Sequence, residues 1–201
     1  MGEAAGVQRA RIQPVLLLPR HPLRPALGAL GLWIGLVLAP TERDAELSRS
    51  ILAEALLRDL GEGRFHAHSA GTRPGTALNP FALDVLSRNG HAVGDMRAKH
   101  IAAFQQPDAP TMDFVFTVCD TAAAEECPPW PGQPITGHWG LPDPVKATGT
   151  DAEKALVFAQ TYAALRRRIA AFVALPFAEL TRLSLQARVD AIGLDATNPK
   201  G

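Results

Sequence analysis

The strongest helical pattern in the chain begins near residue 49. Apolar residues recur there at the spacing of one helical face: Ile51, Leu52, Ala55, Leu56 and Leu60. Gly61 follows as a stop signal, so we predict a helix over residues 49–60 that opens with Ser48, Arg49 and Ser50. The backbone N–H groups at a helix N-terminus have no partner inside the helix and carry partial positive charge, which favours an anion.

Short apolar runs predict the strands of a parallel sheet. Residues 114–118 are aromatic or β-branched throughout and are typical of a buried central strand, and residues 64–69 and 135–139 predict two more. The first strand has two candidates, residues 11–18 and residues 33–38, and the pattern does not decide between them. We predict an α/β fold, an open parallel sheet of about four strands with helices on both faces.

Capping signals mark further helices. Asn79 and Pro80 provide a cap and a first helical residue. Thr150 and Glu153 form a capping box in front of a long amphipathic segment. After Pro176, residues 177–192 predict a last amphipathic helix.

Composition limits the range of functions. A chain of 201 residues with 47% hydrophobic residues suits one globular domain. Its 20 basic and 20 acidic residues cancel, so no net field attracts nucleic acid or an anionic membrane. The densest basic run, Arg166-Arg167-Arg168, is typical of a solvated helix face. Two cysteines without nearby paired ligands are a poor zinc pattern, and we predict no metal site.

The first part of the chain is unusual. Residues 26–39 form an apolar stretch shorter than the roughly 20 residues that a membrane-spanning helix needs. We interpret the stretch as buried core and do not expect a membrane location. A signal or anchor segment is the alternative, and an insertion or frame error in the gene is a third explanation. We predict three parts: an atypical segment (1–47), a central domain (48–178), and a C-terminal helix and tail (179–201).

Several short motifs follow one another in a fixed order. They are Arg49-Ser50-Ile51-Leu52-Ala53-Glu54, Ser69-Ala70-Gly71-Thr72, Asn79-Pro80-Phe81, Thr117-Val118-Cys119-Asp120, Cys127-Pro128-Pro129-Trp130-Pro131-Gly132, His138-Trp139-Gly140 and Pro142-Asp143-Pro144. Together they resemble the arsenate reductases built on the low-molecular-weight protein tyrosine phosphatase fold. The resemblance implies that fold, reduction of arsenate to arsenite, a cytoplasmic location and no bound cofactor.

The resemblance also implies a substrate site. Ser48, Arg49 and Ser50 match the end of the family's oxyanion loop, which binds arsenate or phosphate, and an arginine fork can hold two oxygens of such an anion. Asp143 matches the general acid that protonates a leaving oxygen. A plain helix cap with a solvated arginine, and an ordinary turn aspartate, are the alternatives.

Two cysteines match the family's redox relay. In the family, a first thiolate attacks arsenate, a second cysteine releases arsenite, and a third resolves the disulfide for a thioredoxin-like reductant to clear. Cys119 matches the second cysteine and Cys127 the third. The alternative is that both are buried apolar side chains, because nothing basic beside Cys119 obviously lowers its pKa.

The chain departs from the family at the first thiol. The family loop reads Cys-x5-Arg-Ser, but Arg43 stands six residues before Arg49, and Cys119 and Cys127 are the only cysteines. We therefore predict strongly impaired turnover, because the thiolate is the nucleophile. Three alternatives stay open: direct attack by Cys119, a non-catalytic oxyanion-binding or interaction module, and a protein like the low-molecular-weight tyrosine phosphatases.

Overall fold

Four parallel strands form one sheet in the computed structural model, which describes residues 32–38, 48–71, 77–118 and 130–195. The strands are β1 (Leu32–Leu38), β2 (Phe65–Gly71), β3 (Phe114–Thr117) and β4 (Ile135–His138). Their order in the sheet is β2-β1-β3-β4. The predicted α/β fold with a parallel sheet is confirmed.

The choice between the two candidate first strands is settled by β1. Its Ile34 lies opposite Ala67 of β2 and Phe114 of β3, so β1 occupies the interior of the sheet. The other candidate, residues 11–18, lies outside the described residues. Both runs are apolar enough for a strand buried on two faces, which is why the sequence pattern could not separate them.

The helices begin close to the predicted capping signals. They are α1 (Ser48–Leu60), α2 (Pro80–Arg88), α3 (Asp151–Val173) and α4 (Arg182–Asp195). The Asn79 side chain accepts a hydrogen bond of 2.9 Å from the Phe81 amide, and Thr150 and Glu153 form the predicted capping box. Within the described ranges, none of the helices has both the length and the apolar character needed to cross a bilayer.

The last helix starts later than residues 177–192 predicted. Phe177 is instead held in a turn, where its ring packs 5.1 Å from that of Phe172. The Thr181 hydroxyl then accepts a hydrogen bond of 3.2 Å from the amide three residues later, so α4 begins at Arg182. The predicted start of this helix was wrong by five residues, because Phe177 packs on the core from a turn that precedes the helix.

The sheet separates two apolar clusters. Phe114 and Phe116 point into the larger cluster, to which all four α-helices contribute. Val115 points to the opposite face, into a smaller cluster that includes Ile101 of a short 3-10 helix, Ile101–Phe104. The four α-helices therefore pack against one face of the sheet and the 3-10 helix packs against the other.

Candidate oxyanion-binding site

The predicted site lies at the carboxyl edge of the sheet. Val37 of β1, Thr117 of β3 and His138 of β4 stand in register near the ends of their strands. The segment 139–143 leaves β4 at this edge, and α1 is the helix that follows β1. The carboxyl edge of a parallel α/β sheet is where ligands commonly bind.

Arg49 is buried at the first turn of α1. The residue is only 4% exposed. Its Nη1 donates a hydrogen bond of 2.6 Å to the Leu141 carbonyl. Nη2 lies 3.5 Å from Oδ2 of Asp143. The structure therefore brings together two residues that the sequence analysis assigned to one site, and Arg49 is not a solvated first-turn side chain.

Asp143 has two roles in this geometry. One carboxylate oxygen accepts a hydrogen bond of 3.3 Å from the Val145 amide and caps the short 3-10 helix Pro144–Lys146. The other oxygen faces Arg49. Asp143 is thus a turn residue, as the simpler interpretation had it, and also a neighbour of the predicted oxyanion arginine.

The two serines beside Arg49 are buried. Ser48 is 2% exposed and Ser50 is fully buried. Within the described part of the chain, the Ser48 hydroxyl has no hydrogen-bond partner. A buried hydroxyl without a partner costs about 1–3 kcal/mol, so a ligand oxygen that pairs with it gains that much.

The sequence analysis missed a buried carboxylate one turn further along α1. Glu54 is 3% exposed and accepts hydrogen bonds from the Ser69 amide (2.9 Å), the Ser69 hydroxyl, and Arg58 Nη2 (3.0 Å). Lys99 Nζ lies 3.3 Å away. This network ties α1 to β2 just behind Arg49. The sequence signal that could have revealed Glu54 is the presence of a charged residue inside the apolar run of α1.

A second missed residue corrects the interpretation of the basic run. Arg166 and Arg167 are exposed, but Arg168 is only 1% exposed. Its Nη1 donates hydrogen bonds to the carbonyls of Trp139 (2.5 Å) and Gly140 (3.2 Å). Burial lowers the pKa of Arg168 to about 10. The basic run is therefore not a solvated face throughout. Arg166 and Arg167 face solvent, but Arg168 points into the protein.

The two cysteines predicted to form the relay, Cys119 and Cys127, lie outside the described residues. The described chain stops at Val118, directly after β3, and resumes at Trp130. Their roles stay predictions.

Metal ligands are not clustered in the described ranges, where no group of three His, Cys, Asp or Glu side chains could hold an ion. His66 is exposed on β2. His68 is half-buried with its ring 5.4 Å from that of Phe104, and burial lowers its pKa.

The fold and this site define a class of protein. The sequence profile described as low molecular weight phosphotyrosine protein phosphatase matches residues 44–184, and the chain belongs to that family. The relatives that it matches include arsenate reductases. The arsenate reductase of Shouchella clausii is 32% identical over 124 residues, covering 62% of this chain and 86% of the relative. That of Bacillus subtilis is 29% identical over 124 residues, with the same shares covered.

Solved structures show the same fold. An arsenate reductase in the phosphate binding state has a TM-score of 0.54 and 21% identity, over 71% of this chain and 97% of that one. The arsenate reductase of Archaeoglobus fulgidus has a TM-score of 0.52 and 18% identity, over 71% of this chain and 99% of that one. The family match begins at residue 44, after β1.

Proposed function

We propose that this chain is an arsenate reductase-like protein that binds arsenate or phosphate at the N-terminus of α1 and whose turnover is strongly impaired. The observation that carries the proposal is the pairing of a buried Arg49 with Asp143 at that helix N-terminus. The similarity to arsenate reductases is the reason for proposing arsenate as the substrate.

Three features of the helix N-terminus support an anion as the ligand. α1 has no acidic side chain in its first turn, so its unpaired N–H groups and partial positive charge are not neutralised from within the helix. Arg49 adds a buried positive charge, with Nη1 held by the Leu141 carbonyl and Nη2 facing Asp143. Ser48 adds a buried hydroxyl without a partner among the described residues.

Asp143 acts as the acid in this proposal. Without ligand, its carboxylate shares the Arg49 guanidinium with the Leu141 carbonyl. When an oxyanion takes the Nη2 donor, Asp143 loses its cation and faces a negative charge instead. In the role that the resemblance gives it, Asp143 donates a proton to a leaving oxygen.

The impairment follows from the missing thiol. Reduction of arsenate to arsenite takes two electrons, which two thiols supply when they form a disulfide. Cys119 and Cys127 are the two thiols of the chain, and a thioredoxin-like reductant would return the disulfide to thiols. No cysteine stands six residues before Arg49 to form the first covalent bond to arsenic, so the covalent route lacks its first step.

Calorimetric titration with inorganic phosphate tests the binding site. We expect saturable binding at one site, and about tenfold tighter binding by Asp143→Asn, because the variant removes a carboxylate that competes for Arg49 and repels the anion. Asp84→Asn is the matched control, since Asp84 is an exposed residue of α2 whose carboxylate is also paired with an arginine, Arg88. An absence of saturable phosphate binding would contradict the proposal, and weaker binding by Asp143→Asn would contradict the competition.

A further inference from the structure

A buried arginine outside the oxyanion site holds the segment that carries Asp143. Nη1 of Arg168 reaches from α3 to two successive carbonyls, those of Trp139 and Gly140. The indole Nε1 of Trp139 donates a hydrogen bond of 3.1 Å to the Val189 carbonyl of α4. The first residues after β4 are therefore fixed from two helices.

The same segment reaches Arg49 one residue later. The Leu141 carbonyl accepts the 2.6 Å hydrogen bond from Nη1 of Arg49, and Asp143 lies against Nη2. One arginine thus anchors the start of the segment and the other meets its end. A shift of the Trp139 and Gly140 carbonyls moves the Leu141 carbonyl with them, because peptide groups are planar and connected by only two soft dihedrals per residue.

Packing alone does not account for an arginine at this position. Arg168 is 1% exposed, and its Nε and Nη2 have no hydrogen-bond partner among the described residues. A buried guanidinium is costly, and an apolar side chain of similar volume commonly fills such a position at lower cost. What Arg168 supplies and an apolar residue does not is a donor placed between two carbonyls.

We propose that Arg168 is a positioning residue for the oxyanion site: by clamping the Trp139 and Gly140 carbonyls it fixes the segment 139–143, and through it the Arg49 guanidinium and Asp143. Arg168 does not touch the anion. The expected change in phosphate affinity rests on the proposed function. The effect of Arg168 on the position of the Arg49 side chain does not, because it can be measured in the chain without ligand.

The test compares Arg168→Met, Arg168→Lys and the control Arg167→Met, which changes the exposed neighbour on the same helix. The first measurement is side-chain NMR of nitrogen-15-labelled arginine in the ligand-free chain, with the Arg49 signal assigned by Arg49→Lys. We expect the Arg49 guanidinium protons of Arg168→Met to lose their protection from solvent exchange. In Arg167→Met they keep it.

The second measurement is the affinity for inorganic phosphate. We expect about tenfold weaker binding by Arg168→Met and about threefold weaker binding by Arg168→Lys, which keeps a cation but loses the planar fork. A folded Arg168→Met chain with the Arg49 signal and phosphate affinity of the parent would overturn the inference. If Arg168→Met does not fold, an Arg168→Lys chain identical to the parent in both measurements has the same meaning.

The two measurements separate this inference from the proposed function. If the parent chain does not bind phosphate, the proposed function fails, while the Arg49 signal in the ligand-free variants still decides the role of Arg168. If the parent binds phosphate and Arg168→Met leaves Arg49 unchanged, the positioning role fails alone.

Discussion

Replacing Arg49 with alanine is expected to weaken phosphate and arsenate binding by about 100-fold or more. The substitution removes the guanidinium charge and the charge-assisted hydrogen bond from Nη2 to the anion, which alone contributes roughly 1.5–3 kcal/mol. It also leaves the Leu141 carbonyl and Asp143 without their present partner. Calorimetric titration of each variant with phosphate measures the loss.

Arg49→Lys and Arg88→Ala are the controls for this experiment. Lysine keeps the positive charge and loses the fork, so its affinity should lie between those of the parent and Arg49→Ala. Arg88 is paired with Asp84 on the surface of α2, and its replacement should leave the affinity within about twofold. Binding by a folded Arg49→Ala chain at the affinity of the parent would remove Arg49 from the site.

Replacing Phe172 with alanine is expected to lower the free energy of unfolding by about 3–5 kcal/mol. Phe172 is fully buried, and its ring lies 5.0 to 5.8 Å from five other aromatic rings. These rings belong to Phe65, Phe114, Phe116, Trp139 and Phe177. Truncation leaves a cavity where the sheet, α3 and the start of the segment 139–143 meet, and chemical denaturation measures the loss.

Phe81→Ala is the matched control for Phe172→Ala. Phe81 is a half-buried residue of α2 whose ring packs 5.6 Å from that of Phe158, so its truncation creates less cavity. We expect a loss of less than half that of Phe172→Ala, because the cost scales with the residual cavity volume. Equal losses for the two variants would mean that the aromatic cluster is not the centre of the core.

Local signals predicted most of the fold. The cap at Asn79 and the capping box at Thr150 are interactions between neighbours in the sequence, and the structure forms both as predicted. The limits of α4 depend instead on Phe177, whose partners Phe65 and Phe114 are distant in the sequence. The choice of β1 likewise depends on pairing with two other strands.

The site was predictable in part. The approach of Arg49 and Asp143 follows from the family resemblance and from the meeting of strand ends at one edge of the sheet. Glu54 and Arg168 were missed because a charged side chain within an amphipathic helix is usually solvated, and only the packing of the neighbouring element reveals its burial. The roles of Cys119 and Cys127 stay predictions from the resemblance.

Direct attack by Cys119 on arsenate is the hypothesis that competes with impairment. It requires a thiolate at Cys119, with Cys127 as the resolving thiol, and the oxidation of these two thiols to a disulfide would supply the two electrons. This hypothesis predicts that Cys119→Ser abolishes whatever arsenate turnover the chain has. An active Cys119→Ser chain would discard it.

The central claim is that the chain keeps an oxyanion site and lacks the thiol that attacks the bound anion. Consumption of NADPH by the purified chain with arsenate, thioredoxin and thioredoxin reductase tests it most directly, with the arsenate reductase of Shouchella clausii as the active reference. We expect a kcat on the order of a million-fold lower than that of the reference, the scale on which loss of a covalent nucleophile acts in a hydrolase. A kcat comparable to that of the reference would contradict the claim.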